Sequence, residues 1–173
     1  MKRDYDLEIE WLGFELHPET APEGEPLAQV FPELDPEALA ANLNQTGAPY
    51  GVEFKPLELI VNSRLALEAA EFARDAGKFE EADDRLFRAY FQEGLNISEK
   101  DVVLRLLVEL GIDERSLSDA LDAHKFSARL EHAQKQALAN KIIALPTYII
   151  NGKEKVVGAQ PYSAFTRILD AQL

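Results

Sequence analysis

Cysteine is absent from this 173-residue chain. That absence excludes disulfide staples, thiolate metal sites and thiol nucleophiles. It also fits a cytoplasmic protein, because disulfides persist mainly in oxidising compartments. Basic residues are scarce, with 18 Lys and Arg against 31 Asp and Glu, a formal net charge of −13. Nucleic acid and anionic membrane surfaces both call for a positive partner, so the balance argues against either. No apolar run approaches the roughly 20 residues that a membrane-spanning helix needs. The opening Met1-Lys2-Arg3-Asp4-Tyr5-Asp6 carries charge with no apolar stretch behind it and does not read as a signal peptide. A chain of this length suits one domain, or one domain with an insertion, and can bury a sizeable core without staples.

What is present begins with alternation. Tyr5, Leu7, Ile9 and Trp11 alternate with Asp6, Glu8 and Glu10, so residues 5–16 are expected to form a strand with one buried and one wet face. Leu12-Gly13-Phe14 breaks the pattern, as a bulge or strand end would. From His17 to Pro36 five prolines mark a long connection. Asp35 as N-cap, Pro36 at the first helical position and Gly47 at the end define a short helix.

The middle of the chain is helical. Helices are expected over about 63–76, 79–93, 102–110, 113–123 and 125–139, the last two possibly continuous. Leu65, Ala69, Phe72 and Ala73 form the inner stripe of the first. Ser98-x-x-Asp101 reads as the cap of the third, and Asn140 as the left-handed end of the fifth. A last helix, Pro161 to Leu173, turns Phe165, Ile168 and Leu169 inward. Between these helices lies Ala144-Leu145-Pro146-Thr147-Tyr148-Ile149-Ile150-Asn151-Gly152. Thr147 to Ile150 favour a pleated strand. Asn151-Gly152 is a two-residue hairpin signal, with Lys153 to Val157 returning. Pro146, having no N–H, suits the start of a strand and biases Leu145 towards extended geometry.

Other chemistry-bearing residues have plainer readings. His17, His124 and His132 would have to converge with carboxylates to hold a metal, and no metal site is expected. Glu80-Glu81 and Asp83-Asp84 read as a solvated helix face. Asn62-Ser63 reads as a helix N-cap ahead of a ligand contact. Phe87, Tyr90 and Phe91 read as core. Gly152 and Gly158 have no phosphate-loop spacing.

Five segments in order carry a resemblance: Phe14-Glu15-Leu16-His17-Pro18; Asn62-Ser63-Arg64-Leu65-Ala66; Lys78-Phe79-Glu80-Glu81-Ala82 with Leu86-Phe87-Arg88-Ala89-Tyr90-Phe91; Leu145-Pro146-Thr147; and Gly158-Ala159-Gln160-Pro161-Tyr162. Together they resemble the DsbA-like thioredoxin-fold family, nearest to the FrnE-like, polyketide-biosynthesis-type dithiol oxidoreductases. The resemblance implies an α/β, thioredoxin-like (DsbA-type) fold with a large inserted α-helical domain. Residues 1–61 and 140–173 would make an incomplete thioredoxin-like domain and 62–139 the insert. It also implies a cis bond before Pro146, with Leu145 and Pro146 as substrate-binding residues and the backbone of Leu145 bonding an extended peptide.

Family members open with a strand and a helix whose first turn carries Cys-x-x-Cys. The resemblance aligns residue 5 onward with their second strand, so the first strand and active-site helix are expected to have no counterpart. No catalytic residue and no cofactor is therefore carried over. The expected function is that of a DsbA/FrnE-like oxidoreductase relative that is redox-inactive as a cysteine-free chain. The alternatives are a non-catalytic binding or assembly module using the Leu145-Pro146 loop and open strand edges, and a relative of the kappa-type glutathione-dependent isomerases and transferases. With no central strand between them, either the strand at 5–16 pairs with 147–151 or a second chain fills the gap. A homodimer through unpaired strand edges is the expected partner, with a peptide or thiol ligand at the proline loop.

Overall fold

A computed structural model describes residues 4–172. Met1–Arg3, where the reading of the signal-peptide region begins, and Leu173, the expected end of the last helix, lie outside the described residues. The element order is β1 (Glu25–Pro26), α1 (Leu27–Val30), α2 (Pro36–Gly47), a 3₁₀ turn (Ala48–Tyr50), β2 (Leu59–Ile60), α3 (Arg64–Asp75), α4 (Phe79–Phe91), α5 (Lys100–Val108), α6 (Glu114–Asp122), α7 (Ser127–Ala139), β3 (Thr147–Ile150), β4 (Glu154–Val157) and α8 (Tyr162–Asp170). Two compact units result. One is His17–Leu130; the other joins the chain up to Leu16 with the part from Glu131 onward. The division falls within α7, whereas the sequence division placed the helical insert at 62–139.

The His17–Leu130 unit is built on α3, whose inner stripe is small. Ala66, Ala69, Ala70 and Ala73 are buried and let neighbouring helices approach closely. Against them pack Ala82, Leu86 and Ala89 of α4, Val103, Leu106 and Leu107 of α5, and Leu117 and Leu121 of α6. Each fully buried leucine contributes about 1.5–3 kcal/mol. Leu65 and Phe72 lie at the edge of this core, partly buried. The long connection before α2 carries more order than its prolines suggested: β1 pairs with β2 antiparallel, Glu25 opposite Ile60, and α1 makes one turn.

Helix ends follow local chemistry at α2 and depart from the expected caps at the start of α5 and the end of α7. Asp35 caps α2 as expected, its carboxylate accepting from the amides of Glu37 and Ala38. The Ser98 box does not form. α5 starts at Lys100 without a side-chain cap, and the Ser98 hydroxyl donates to Asn96 Oδ1 at 2.5 Å instead. The α7 end is also shifted, since Lys141 rather than Asn140 takes the left-handed conformation (φ 54°). α6 and α7 are separate, broken at His124, whose φ is 47°.

In the other unit, β3 and β4 form an antiparallel hairpin, Thr147 opposite Val157 and Ile150 opposite Glu154. Asn151 and Gly152 both have positive φ, and the Lys153 amide donates to the Ile150 carbonyl. The turn is thus of the expected type, but Lys153 is an extra residue and the return strand begins at Glu154. The inner face of the hairpin packs on α8 through Tyr148 and Phe165, ring centroids 4.9 Å apart and nearly perpendicular. Phe165 and Val156 are buried; Ile168 and Leu169 are half-buried.

The expected strand at 5–16 is not one. Among the described residues it joins no ladder, and β3 pairs only with β4. Alternation supplies the faces of a strand but not the hydrogen-bonding neighbour that makes one. The burial of that pattern is lost with it: Tyr5 and Leu7 are half-buried, while Ile9 and Trp11 are exposed. Side chains hold the segment instead. Tyr5 donates to Asp170, Tyr162 donates to Asp4, and the Gln134 amide group exchanges two hydrogen bonds of 3.1 Å with the backbone of Glu15.

Candidate functional site

The hairpin positions the loop that precedes it. Continuing the β3–β4 register sets Pro146 opposite Gly158, and the Gly158 amide donates to the Pro146 carbonyl at 2.7 Å. Gly158 has φ 79°, a conformation that favours glycine. The Thr147 hydroxyl donates to the Ala144 carbonyl at 2.6 Å, closing the loop from the other side. The Leu145–Pro146 peptide bond is cis. Pro146 thus has its carbonyl engaged, whereas neither the amide nor the carbonyl of Leu145 has a hydrogen-bond partner among the described residues. The Leu145 side chain is 46% exposed and that of Ile143 84%. The result is an apolar ledge with an unused donor and acceptor, running into a β3 that among the described residues pairs only with β4. Such a ledge can bind an extended apolar segment through main-chain bonds.

The histidines do not converge. His17 faces Glu19 at 3.1 Å, His132 meets Gln136 at 2.9 Å, and His124 lies 3.5 Å from Glu68. Among the described residues no group of three His, Asp or Glu side chains could hold a metal. Asn62 is structural: its carbonyl oxygen accepts from the Arg64 amide and its amide donates to Thr20 O, while the Ser63 hydroxyl makes no cap. Glu80, Glu81 and Asp84 line a shallow open groove with Arg74, Gly77 and Phe79, and the Arg74 guanidinium stacks 3.6 Å over the Phe79 ring. Burial pushes the Asp83 carboxyl up, opposed by Arg74 and helped by the charge of Asp84.

Two readings of the helical unit need correction. Phe87 is not core but 57% exposed, stacked on Phe91 at 5.7 Å. Tyr90 and Phe91 are partly buried, and Tyr90 donates to the Leu59 carbonyl. Sequence reasoning also missed two buried acids. Glu68 is 1% exposed and accepts from Ser127 Oγ at 2.8 Å and Arg64 Nε at 3.3 Å. Glu71 is buried between Arg74 and Arg129, each at 3.0 Å, and Arg129 also reaches Asp75. The spacings 64/68 and 71/74 look like ordinary surface helix pairs. Only the arrival of residues 124–129 on this side of α3 buries them.

With this geometry in view, the kind of protein is defined: the chain belongs to the DsbA-like thioredoxin domain family, whose model matches residues 1–170. This is the family, and the α/β fold with a helical insertion, to which the five sequence segments pointed. A curated relative is the uncharacterized protein YwbO of Bacillus subtilis (strain 168), 31% identical over 173 residues, covering 95% of this chain and 82% of that protein. A probable DsbA oxidoreductase from Streptomyces coelicolor superposes with a TM-score of 0.82 at 20% identity, over 91% of this chain and 72% of its own. A 2-hydroxychromene-2-carboxylate isomerase does so with a TM-score of 0.71 at 17% identity, over 98% and 82%. At these identities the two structures share the fold. Among the described residues no helix is long and apolar enough to cross a membrane.

Proposed function

We propose that this cysteine-free chain is a redox-inactive member of its family that binds extended peptide at the Leu145–Pro146 loop, in the cytoplasm. Dithiol exchange requires a thiolate to attack a disulfide sulfur, and the chain has no sulfur nucleophile of that kind. The observation that carries the binding half is the unused Leu145 backbone beside an exposed apolar ledge and a β3 that among the described residues pairs only with β4. An extended apolar peptide would take its main-chain bonds there and place side chains against Ile143 and Leu145. The test has two arms. Insulin reduction should give no turnover above background, and any real turnover refutes the redox half. A fluorescent extended apolar peptide should bind, and Leu145→Glu, which sets a charge on the ledge, should weaken it at least tenfold. Equal affinity for the variant refutes the binding half.

A second reading is favoured by the isomerase likeness at TM-score 0.71. A relative of glutathione-dependent isomerases would bind glutathione at the same loop through its peptide backbone. A glutathione titration separates the two: saturable binding of glutathione without peptide binding supports the isomerase relative.

A further inference from the structure

The tip of the β3–β4 hairpin carries chemistry that the proline loop does not use. The chain has six asparagines, and only Asn151 is followed by glycine. Asn42, Asn44, Asn62, Asn96 and Asn140 precede Leu, Gln, Ser, Ile and Lys, whose Cβ atoms crowd the amide that follows each asparagine. Glycine has no Cβ and moves freely through the conformations that bring its amide onto a neighbouring side chain. A Cβ placed on Gly152 would meet no atom within 4 Å, so the space around it is open. Asn151, Gly152 and Lys153 are all exposed to water.

The reacting groups at this tip are also free. Among the described residues the Gly152 amide donates to nothing, and the side-chain carbonyl of Asn151 accepts from nothing. The other asparagines differ. Asn44 is bonded through both ends of its side chain to the backbone of Phe54, and Asn62 through both ends to Thr20 and Arg64. Asn96 accepts from Ser98 and donates to Glu99. Asn42 lies inside α2, where the next amide is a helix donor, and the amide after Asn140 is bonded to the Leu138 carbonyl. Two bonds restrain Asn151. Its Nδ2 donates to Gln172 Oε1, and the Lys153 amide fixes the turn on the Ile150 carbonyl.

We propose that Asn151 is a site of spontaneous modification, at which the Gly152 amide closes a succinimide that water opens to isoaspartate or aspartate. The Gly152 nitrogen forms a bond to Asn151 Cγ. The bond from Cγ to Nδ2 breaks, and ammonia leaves with the proton that the Gly152 amide gives up. One water then adds across the imide. Opening at the main-chain carbonyl gives isoaspartate, and opening at Cγ gives aspartate. No electron is gained or lost. Either product sets a carboxylate beside Lys153 and makes the chain one unit more negative than −13. Isoaspartate also lengthens the main chain by one atom. That atom falls between Ile150 and Glu154, inside the turn and outside the paired ladder.

The test is peptide mapping by mass spectrometry of the full chain, sampled over weeks in mildly alkaline buffer at physiological temperature. Position 151 should show the mass gain of an amide-to-acid exchange while the other five asparagines are unchanged. An isoaspartyl methyltransferase should label the product at that position, and the modified chain should elute as a separate, more acidic species on anion exchange. Gly152→Ala should slow the conversion at least tenfold. Because Gly152 has φ 67°, where alanine is strained, Gly152→Asn is the second variant; asparagine tolerates that conformation and should slow the conversion as well. Gln172→Ala, which releases the Asn151 amide, should speed it at least threefold, and an equal rate overturns the restraint assigned to Gln172. Earlier conversion of another asparagine overturns the inference. So does an undiminished rate in both Gly152 variants, or an Asn151 that stays intact after a free peptide of residues 148–156 has converted completely.

Discussion

Replacing Glu68 with alanine should unfold the helical unit far more readily than its place in an i,i+4 pair would suggest. A surface pair of this kind contributes about 0.3–0.5 kcal/mol. Glu68, however, is 1% exposed and joins α3 to Ser127 in the first turn of α7. Removing one partner of a buried charged cluster costs about 3–5 kcal/mol. Here the partners are not all stranded. Arg64 is 28% exposed and can regain water, and His124 is mostly exposed, so chiefly the Ser127 hydroxyl is left without its acceptor. No buried charge is stranded and Glu68 Oε2 has no hydrogen-bond partner to lose, so the loss is that of an unpaired buried hydroxyl, about 1–3 kcal/mol, or a fall in Tm of roughly 2–12 °C for a chain of this size. Glu68→Gln keeps the shape and one acceptor and should lose about 1–2 kcal/mol, the difference between a charged and a neutral hydrogen bond. The assay is urea and thermal unfolding followed by circular dichroism at 222 nm, because the helices dominate that signal. The single tryptophan, Trp11, lies outside this unit and is the wrong probe. A loss below about 1 kcal/mol for Glu68→Ala would show that the buried carboxylate is not holding Ser127 to α3.

Two further outcomes can be measured. Leu106→Ala should cost about 3 kcal/mol in the same unfolding assay, since Leu106 is fully buried among α3, α4 and α5; a loss under 1 kcal/mol would mean that the alanine-lined interface collapses around the gap. Tyr5, whose hydrogen bond to Asp170 pushes its phenol up to about 12, should ionise well after an ordinary tyrosine in absorbance at 295 nm, and Asp170→Asn should bring it down. Because the folded value lies above the ordinary value of 10, this tether's contribution is complete below pH 10 and is lost as pH rises towards 12. A uniform tyrosine titration near pH 10 would refute the tether.

How far the sequence could be read depended on the range of the interactions. The α2 cap was legible because Asp35, Pro36 and the bonded amides lie within three residues. The Asn-Gly turn was legible for the same reason, although the extra Lys153 depends on strand pairing and was not. The start of α5 misled because Ser98 has two local choices, and Asn96 two residues back offers the better acceptor. Residues 5–16 misled for a different reason. Their pattern states which face would be buried, but a strand exists only with a neighbour, and no local signal shows whether one is present. Glu68 and Glu71 were illegible altogether, because their burial comes from residues nearly 60 positions away. At the site, Leu145 and Pro146 were found by resemblance, while the engaged Pro146 carbonyl and the unused Leu145 backbone are products of the hairpin register.

That register imposes a parity rule on the chain. The bond from Gly158 to Pro146 closes a ladder that begins at the Asn-Gly turn, with side chains alternating between α8 and the outer face. Lengthening either strand alone by one residue would turn Tyr148 or Val156 outward and carry Pro146 and Gly158 out of opposition. Lengthening both strands by two residues, or enlarging the turn, would preserve both. The distance in sequence between the proline loop and Gly158-Ala159-Gln160 is therefore free to change only in steps that keep the count on the two strands equal and even.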